Sequence, residues 1–146
     1  MRILLILLFI SFGSFGQTYD DMMSLVSKDA FIKVMVENNY QFNNEKSTDV
    51  MTMYDNIEGT QFAVYVSREE GEVFNLSVNK KTSVGIELNN TPYDNIYNEV
   101  KEKCTFDRIE KAMNLDYACY LCDDAKFIGT IGFAIWDGWG YIMQMK

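Results

Sequence analysis

The residues best equipped for chemistry in this chain are Cys104, Cys119 and Cys122, with the carboxylate pairs Asp20-Asp21, Glu69-Glu70 and Asp123-Asp124. Cys119 and Cys122 have a C-x-x-C spacing. Redox use of that spacing needs a helix N-terminus, where the dipole lowers the first thiol's pKa. The surrounding LDYACYLCDD instead alternates as a strand, with no helix after it. Three strand residues span ~10 Å, beyond the ~7 Å a disulfide bridges. Cys104 is therefore expected to bond Cys119 or Cys122, leaving the third thiol free. The carboxylate pairs fall at the chain start or in expected turns, where they are solvated. A two-carboxylate hydrolase needs one acid with a raised pKa in a pocket. The chain has no histidine, so the commonest general base is missing and zinc is poorly served. DNIEG and DGWG lack the oxygen ligands of a calcium loop, and no nucleotide-binding or nucleophile-elbow string is present. No catalytic residue, metal or cofactor is expected.

The other distinctive stretch is WDGWG, which holds both tryptophans, Trp136 and Trp139. Asp-Gly between two alternating runs is the strongest short hairpin signal, because both turn positions need φ > 0. The two rings then face each other across the ladder and contribute about 1 kcal/mol. Alternation divides the hairpin into two faces. Ile131, Phe133, Ile135 and Ile142 are expected to point into the core. Gly132, Ala134, Trp136, Trp139, Tyr141, Met143 and Met145 point the other way, with large rings free to lie across the small residues. A simple two-layer domain would show polar residues there. The leading expectation is that the other half of the chain covers this second face. The alternatives are a homodimer seam and an open binding face, where Trp, Tyr and Met are enriched. The candidate binding residues are Trp136, Trp139, Tyr141 and Met143.

Several elements must position these residues. Met22, Leu25 and Val26 indicate a short helical stretch. Ser27 caps a second helix in which Phe31, Val34, Met35 and Asn38 share a face, ending at Asn38-Asn39. DVMTMYD, TQFAVYVS, EVFNLSVNK and TSVGIELN read as strands. Thr91 then caps a third helix with Pro92 in its first position and Tyr93, Ile96, Tyr97 and Val100 as its stripe. TFDRIEKA has no firm assignment, and three more strands follow to the C-terminus. The expected class is α+β: antiparallel sheet with helices on one face, in two tandem helix-plus-three/four-strand repeats if the chain is duplicated. A duplication would align Phe42 with Phe106, Tyr54 with Tyr117, Ile32 with Ile96 and Val36 with Val100.

The first residues carry a different signal. MRILLILLFISFGSFGQ has a basic Arg2, an apolar run too short for the ~20 residues of a membrane span, and Ser14-x-Gly16 as a cleavage site. It resembles the secretory leaders of Flavobacteria-type bacteria, which implies export to the periplasm or beyond. Residues 1–16 are then a signal peptide and 17–146 a single domain, with halves 17–90 and 91–146 if duplicated. Cleavage removes Arg2 and no acid, leaving 12 bases against 21 acids. Nucleic acid and, once the leader is gone, membrane are poor partners for so acidic a chain. The plan is similar to that of the β-lactamase inhibitor protein, a tandem helix-and-sheet secreted inhibitor. That resemblance implies a binding role, inhibitor or immunity-like, towards another protein or a second copy. Two other expectations stand beside it: a small envelope enzyme using carboxylates or Tyr, and carbohydrate binding through Trp136 and Trp139.

Overall fold

Helix ends follow from local side-chain chemistry. The computed structural model describes residues 18–69 and 71–145; the leader, its cleavage site and Gln17 lie outside them. Thr18 and Asp21 form a capping box that starts α1 (Tyr19–Met23). Ser27 accepts a hydrogen bond from the Ala30 amide at 3.2 Å and starts α2 (Lys28–Glu37). Asn39, at φ 60°, closes it. Thr91 and Asp94 form a second capping box, with Pro92 opening α3 (Pro92–Lys103). Leu25 and Val26 fall outside α1, because Ser24 and Ser27 end one helix and begin the next.

The strands are β1 (Gln41–Phe42), β2 (Met51–Asp55), β3 (Gln61–Arg68), β4 (Gly71–Asn79), β5 (Thr105–Ala112), β6 (Leu115–Asp123), β7 (Ile128–Trp136) and β8 (Trp139–Met145). They form one eight-stranded sheet in the order β1-β2-β3-β4-β8-β7-β6-β5. Every neighbouring pair is antiparallel. Two helix-and-strand units, residues 19–79 and 92–145, therefore meet along β4 and β8, with Leu76 opposite Ile142. This is an α+β fold with an antiparallel sheet. The expectation that one half covers the other's second face is overturned. The halves join edge to edge, so their sheets become one layer rather than two.

One buried cluster runs through both units. Phe31 of α2 lies 5.7, 6.0 and 5.9 Å from the rings of Tyr54, Tyr65 and Phe74. Tyr97 of α3 lies 4.8 Å from Phe133, and Tyr93 meets that ring edge-on at 5.8 Å. Gly140 is needed beneath α3, since a β carbon there would sit 2.5 Å from the Tyr93 ring. Cys104, at the end of α3, is bonded to Cys122 of β6. Lys80, just past β4, is buried and pairs with Asp94 in the first turn of α3. It also lies 5.2 Å from the Tyr93 ring. Its backbone amide donates to the Gly138 carbonyl at 2.7 Å, so one residue ties the first unit to both α3 and the β7–β8 turn.

Three further expectations change. TSVGIELN is not a strand: only a Lys81–Glu87 bridge forms, and Gly85 takes φ 83°. Its alternation is real, but both edges of β4, the strand it follows in the chain, are already taken by β3 and β8. Val84, Ile86 and Leu88 stay exposed as a result. Ile135 shares the parity of Phe133 yet is exposed; it stands one residue from the end of β7, opposite Gly140, which has no side chain to pack on it. TFDRIEKA is β5, an outer strand whose register shifts between Phe106 and Arg108. The register also replaces one duplication match. Phe42 pairs with Tyr54 and Phe106 pairs with Tyr120, so Tyr54 corresponds to Tyr120, not Tyr117.

Candidate functional site

The β7–β8 turn is built as its residues require. Asp137 and Gly138 take φ 48° and 78°, and Trp136 stands opposite Trp139. Behind the turn, Ala134 faces Tyr141 and Gly132 faces Met143. These residues alternate with Ile131, Phe133 and Ile142, which belong to the cluster containing the helix residues. Tyr117, Cys119, Ala134 and Met143 form a separate buried cluster, to which no described helix residue belongs. A β carbon on Gly132 would lie 3.2 Å from Tyr117 Cβ and 3.3 Å from Cys119 Sγ. The ring that fills the gap at Gly132 is thus Tyr117.

The four candidate residues have different surroundings. Met143 is buried, as packing under the second face. Trp139 is half-buried, and its ring lies 5.4 Å from that of Phe62, reaching over β4 to the first unit. Trp136 is 60% exposed. With Tyr141 it lines a groove of about 440 Å³, whose other walls are Met113, Asn114, Leu115 and Tyr117. This groove lies between the β7–β8 turn and the β5–β6 turn, where Met113 and Asn114 take φ 48° and 61°. Tyr117 is fully buried at the groove floor, and its hydroxyl has no hydrogen-bond partner among the described residues. Burial first, and the Asp137 carboxylate second, push the Tyr141 phenol up.

The same parity of side chains continues into the first unit. Met51 and Met53 of β2, Phe62, Val64 and Val66 of β3, and Val73 of β4 are all partly exposed. The registers place Met53 beside Val64, Val64 beside Asn75 and Asn75 beside Met143, so this side is one surface across six strands. Asn75, Ser77 and Asn79 are its polar strip. Sequence reasoning found the Trp hairpin and missed the opposite wall of the groove. Asn114 was the available signal for that turn, because Asn tolerates φ > 0 where no glycine is present. The apolar residues of both parities in QFAVYV were the signal for the first-unit part of the surface.

The remaining reactive groups do not converge. Cys119 is the free thiol; it is buried, and burial first, then Glu110, raises its pKa. Asp21 is held in the α1 cap, and Asp124 accepts a 3.4 Å hydrogen bond from the Tyr19 hydroxyl. Burial opposes ionisation of Asp94, but hydrogen bonds from Lys80 and Thr91 together outweigh it and hold the carboxyl below its usual range. Among the described residues no group of three or more His, Cys, Asp or Glu side chains is placed to hold a metal. No family model, curated protein or solved structure matches the chain.

Proposed function

We propose that this chain is an exported, non-enzymatic binding protein that recognises another protein through the sheet face bearing Trp136, Trp139 and Tyr141. In this reading the helices cover one face of the sheet, the opposite face is the working surface, and two tandem repeats give it its width. The observation that carries the reading is the run of partly exposed apolar side chains from Met51 and Met53 through Phe62, Val64 and Val73 to Tyr141 and Trp136. Aromatic and Met side chains on one continuous surface are the usual material of a protein contact. An inhibitor or immunity-like role suits such a surface on a small acidic chain. The Cys104–Cys122 bond is compatible with export, as is the lack, among the described residues, of a helix long and apolar enough to cross a membrane.

Val64→Glu tests this reading, because Val64 lies mid-surface, away from the Trp hairpin and from the helix-packing residues. Chemical cross-linking in periplasmic extract is expected to join the wild-type chain to a discrete partner. The variant is expected to lose that adduct while keeping its melting temperature to within a few degrees. An adduct of two copies, matched by sedimentation as a dimer, would make the surface a homodimer seam. An unchanged adduct with Val64→Glu would remove this face from the contact.

A further inference from the structure

The groove between the β5–β6 and β7–β8 turns is more specific than an apolar contact surface requires. Three aromatic side chains, Tyr117, Trp136 and Tyr141, line it, and no lysine or arginine does. The nearby fixed charges are mixed: the Lys81 side chain lies against Gly138 of the turn, and two carboxylates stand beside the rings. Asp137 stands in the turn and acts on the Tyr141 phenol, and Glu110 is the register partner of Tyr117. Glu110 itself is tied to Arg108, the nearest cation on that strand's same side. Elsewhere the chain places its own lysines over its rings: Lys46 over Phe62, Lys80 over Tyr93, Lys101 over Tyr97 and Lys103 over Tyr19, at 5.5, 5.2, 5.0 and 4.2 Å. Among the described residues none covers Trp136, Tyr141 or Tyr117. Tyr117 lines the groove, and its hydroxyl is buried with no partner among the described residues, so a donor on a ligand or a water would satisfy it.

We propose that this groove receives an arginine side chain presented by a basic partner protein, with the guanidinium against Trp136 and donating to the Tyr117 hydroxyl. Among the described residues the lining itself offers an anion no counter-charge, whereas a cation gains from the ring faces and from Asp137. A guanidinium fits better than an ammonium: it is flat, weakly hydrated, and stacks on aromatic rings while still donating. The formal net charge of −8 favours a basic partner and opposes a second copy of the chain. This proposal rests on the reading of the sheet face as protein-binding.

The test uses the mature, oxidised protein and a short glycine–serine peptide carrying one central arginine. Matched peptides carry citrulline, its neutral isostere, or norleucine. NMR titration follows the Trp136 indole signal. The arginine peptide is expected to bind about tenfold more tightly than the citrulline peptide, a difference that shrinks with salt. Tyr117→Phe is expected to weaken arginine binding about fivefold without lowering the melting temperature, since it removes an unpartnered hydroxyl. Asp137→Asn, which the turn tolerates, is expected to weaken it about threefold and to flatten the salt dependence. Equal binding of all three peptides, no binding of any, or no effect of Asp137→Asn would overturn the proposal. So would a preference for chitooligosaccharide, which would make the groove a sugar site. Val64→Glu lies outside the groove, so loss of the cross-linked adduct there, without arginine preference here, overturns the groove assignment alone.

Discussion

In the first unit the Phe31 ring sits among Tyr54, Tyr65 and Phe74. In the second, Tyr93 and Tyr97 pack on Tyr120 and Phe133, and the end of their helix is covalently bonded to β6. Both units run helix then four strands, and both place a Phe–Tyr pair at the outer ladder with ring centroids 5.6 Å apart. The difference lies in what holds each helix down. α2 is held by apolar burial, with a buried Tyr40–Gln61 hydrogen bond just past its end, while α3 has a disulfide at one end and the Lys80–Asp94 pair at the other. Nor are the units separate. α1 belongs to the first by sequence, yet Tyr19 lies under Lys103 of α3 and donates to Asp124. One topology thus accepts two packing chemistries, and the second unit carries a covalent and a partly buried ionic tether on its helix.

The severest challenge to that contrast is Phe31→Ala. Cavity formation in the buried cluster should cost about 3–5 kcal/mol, read as the urea midpoint. Hydrogen exchange should rise in β2–β4 and also in β8, since the units share one cluster. Exchange confined to β2–β4 would mean that the units open independently. Next in size is removal of the tether with Cys104→Ser and Cys122→Ser together. For a bond closing a separation of 18 residues, the loss should be about 3 kcal/mol. It should concentrate in α3 and β6, and equal loosening of α2 would break the comparison.

Asp94→Asn should cost about 1–3 kcal/mol at neutral pH, less than a fully buried pair because Asp94 is partly exposed. The folded Asp94 pKa is lowered, so its stabilisation is present above the unfolded value and is lost as pH falls through the folded one. The gap between wild type and variant should therefore close below about pH 4. A gap that persists in acid would assign the loss to packing rather than to the ion pair. The smallest effect has the opposite sign. Following the ladders inward from the two Phe–Tyr pairs matches Leu76 with Gln144. Gln144 is fully buried, with both amide atoms unpartnered among the described residues. Gln144→Leu should raise stability by about 1 kcal/mol, and a loss in thermal melts would show that the amide is satisfied in solution.

Most of the frame was legible where local chemistry decides it. Ser27, Thr91 and Pro92 mark helix starts by their own hydrogen-bonding and φ preferences, and Asp137-Gly138 marks its turn in the same way. The disulfide was narrowed to two choices by strand reach, and register then selected Cys122, whose side chain shares the Tyr120 side of β6. Elements decided by tertiary context were not legible. TFDRIEKA loses its period because the register shift at Asp107 interrupts the alternation. TSVGIELN keeps its period but follows a strand whose two edges β3 and β8 already fill. Of the candidate site, the Trp hairpin was readable, while Tyr117 looked like any alternating strand residue. Its place beneath the groove follows from the β6–β7 register, which no local pattern encodes.

The register shift in β5 has a consequence for how large this sheet can become. An outer strand of eight residues is a ready template for another chain, but here it is broken by the shift and crowded by Asp107, Arg108 and Glu110. At the opposite margin β1 has two residues, and the loop after it bonds to β2 through Asn43, Ser47 and Thr48. Both margins are therefore poor templates for growth. The sheet is self-limiting: a chain with this much apolar strand sequence presents no margin suited to fibre-like polymerisation.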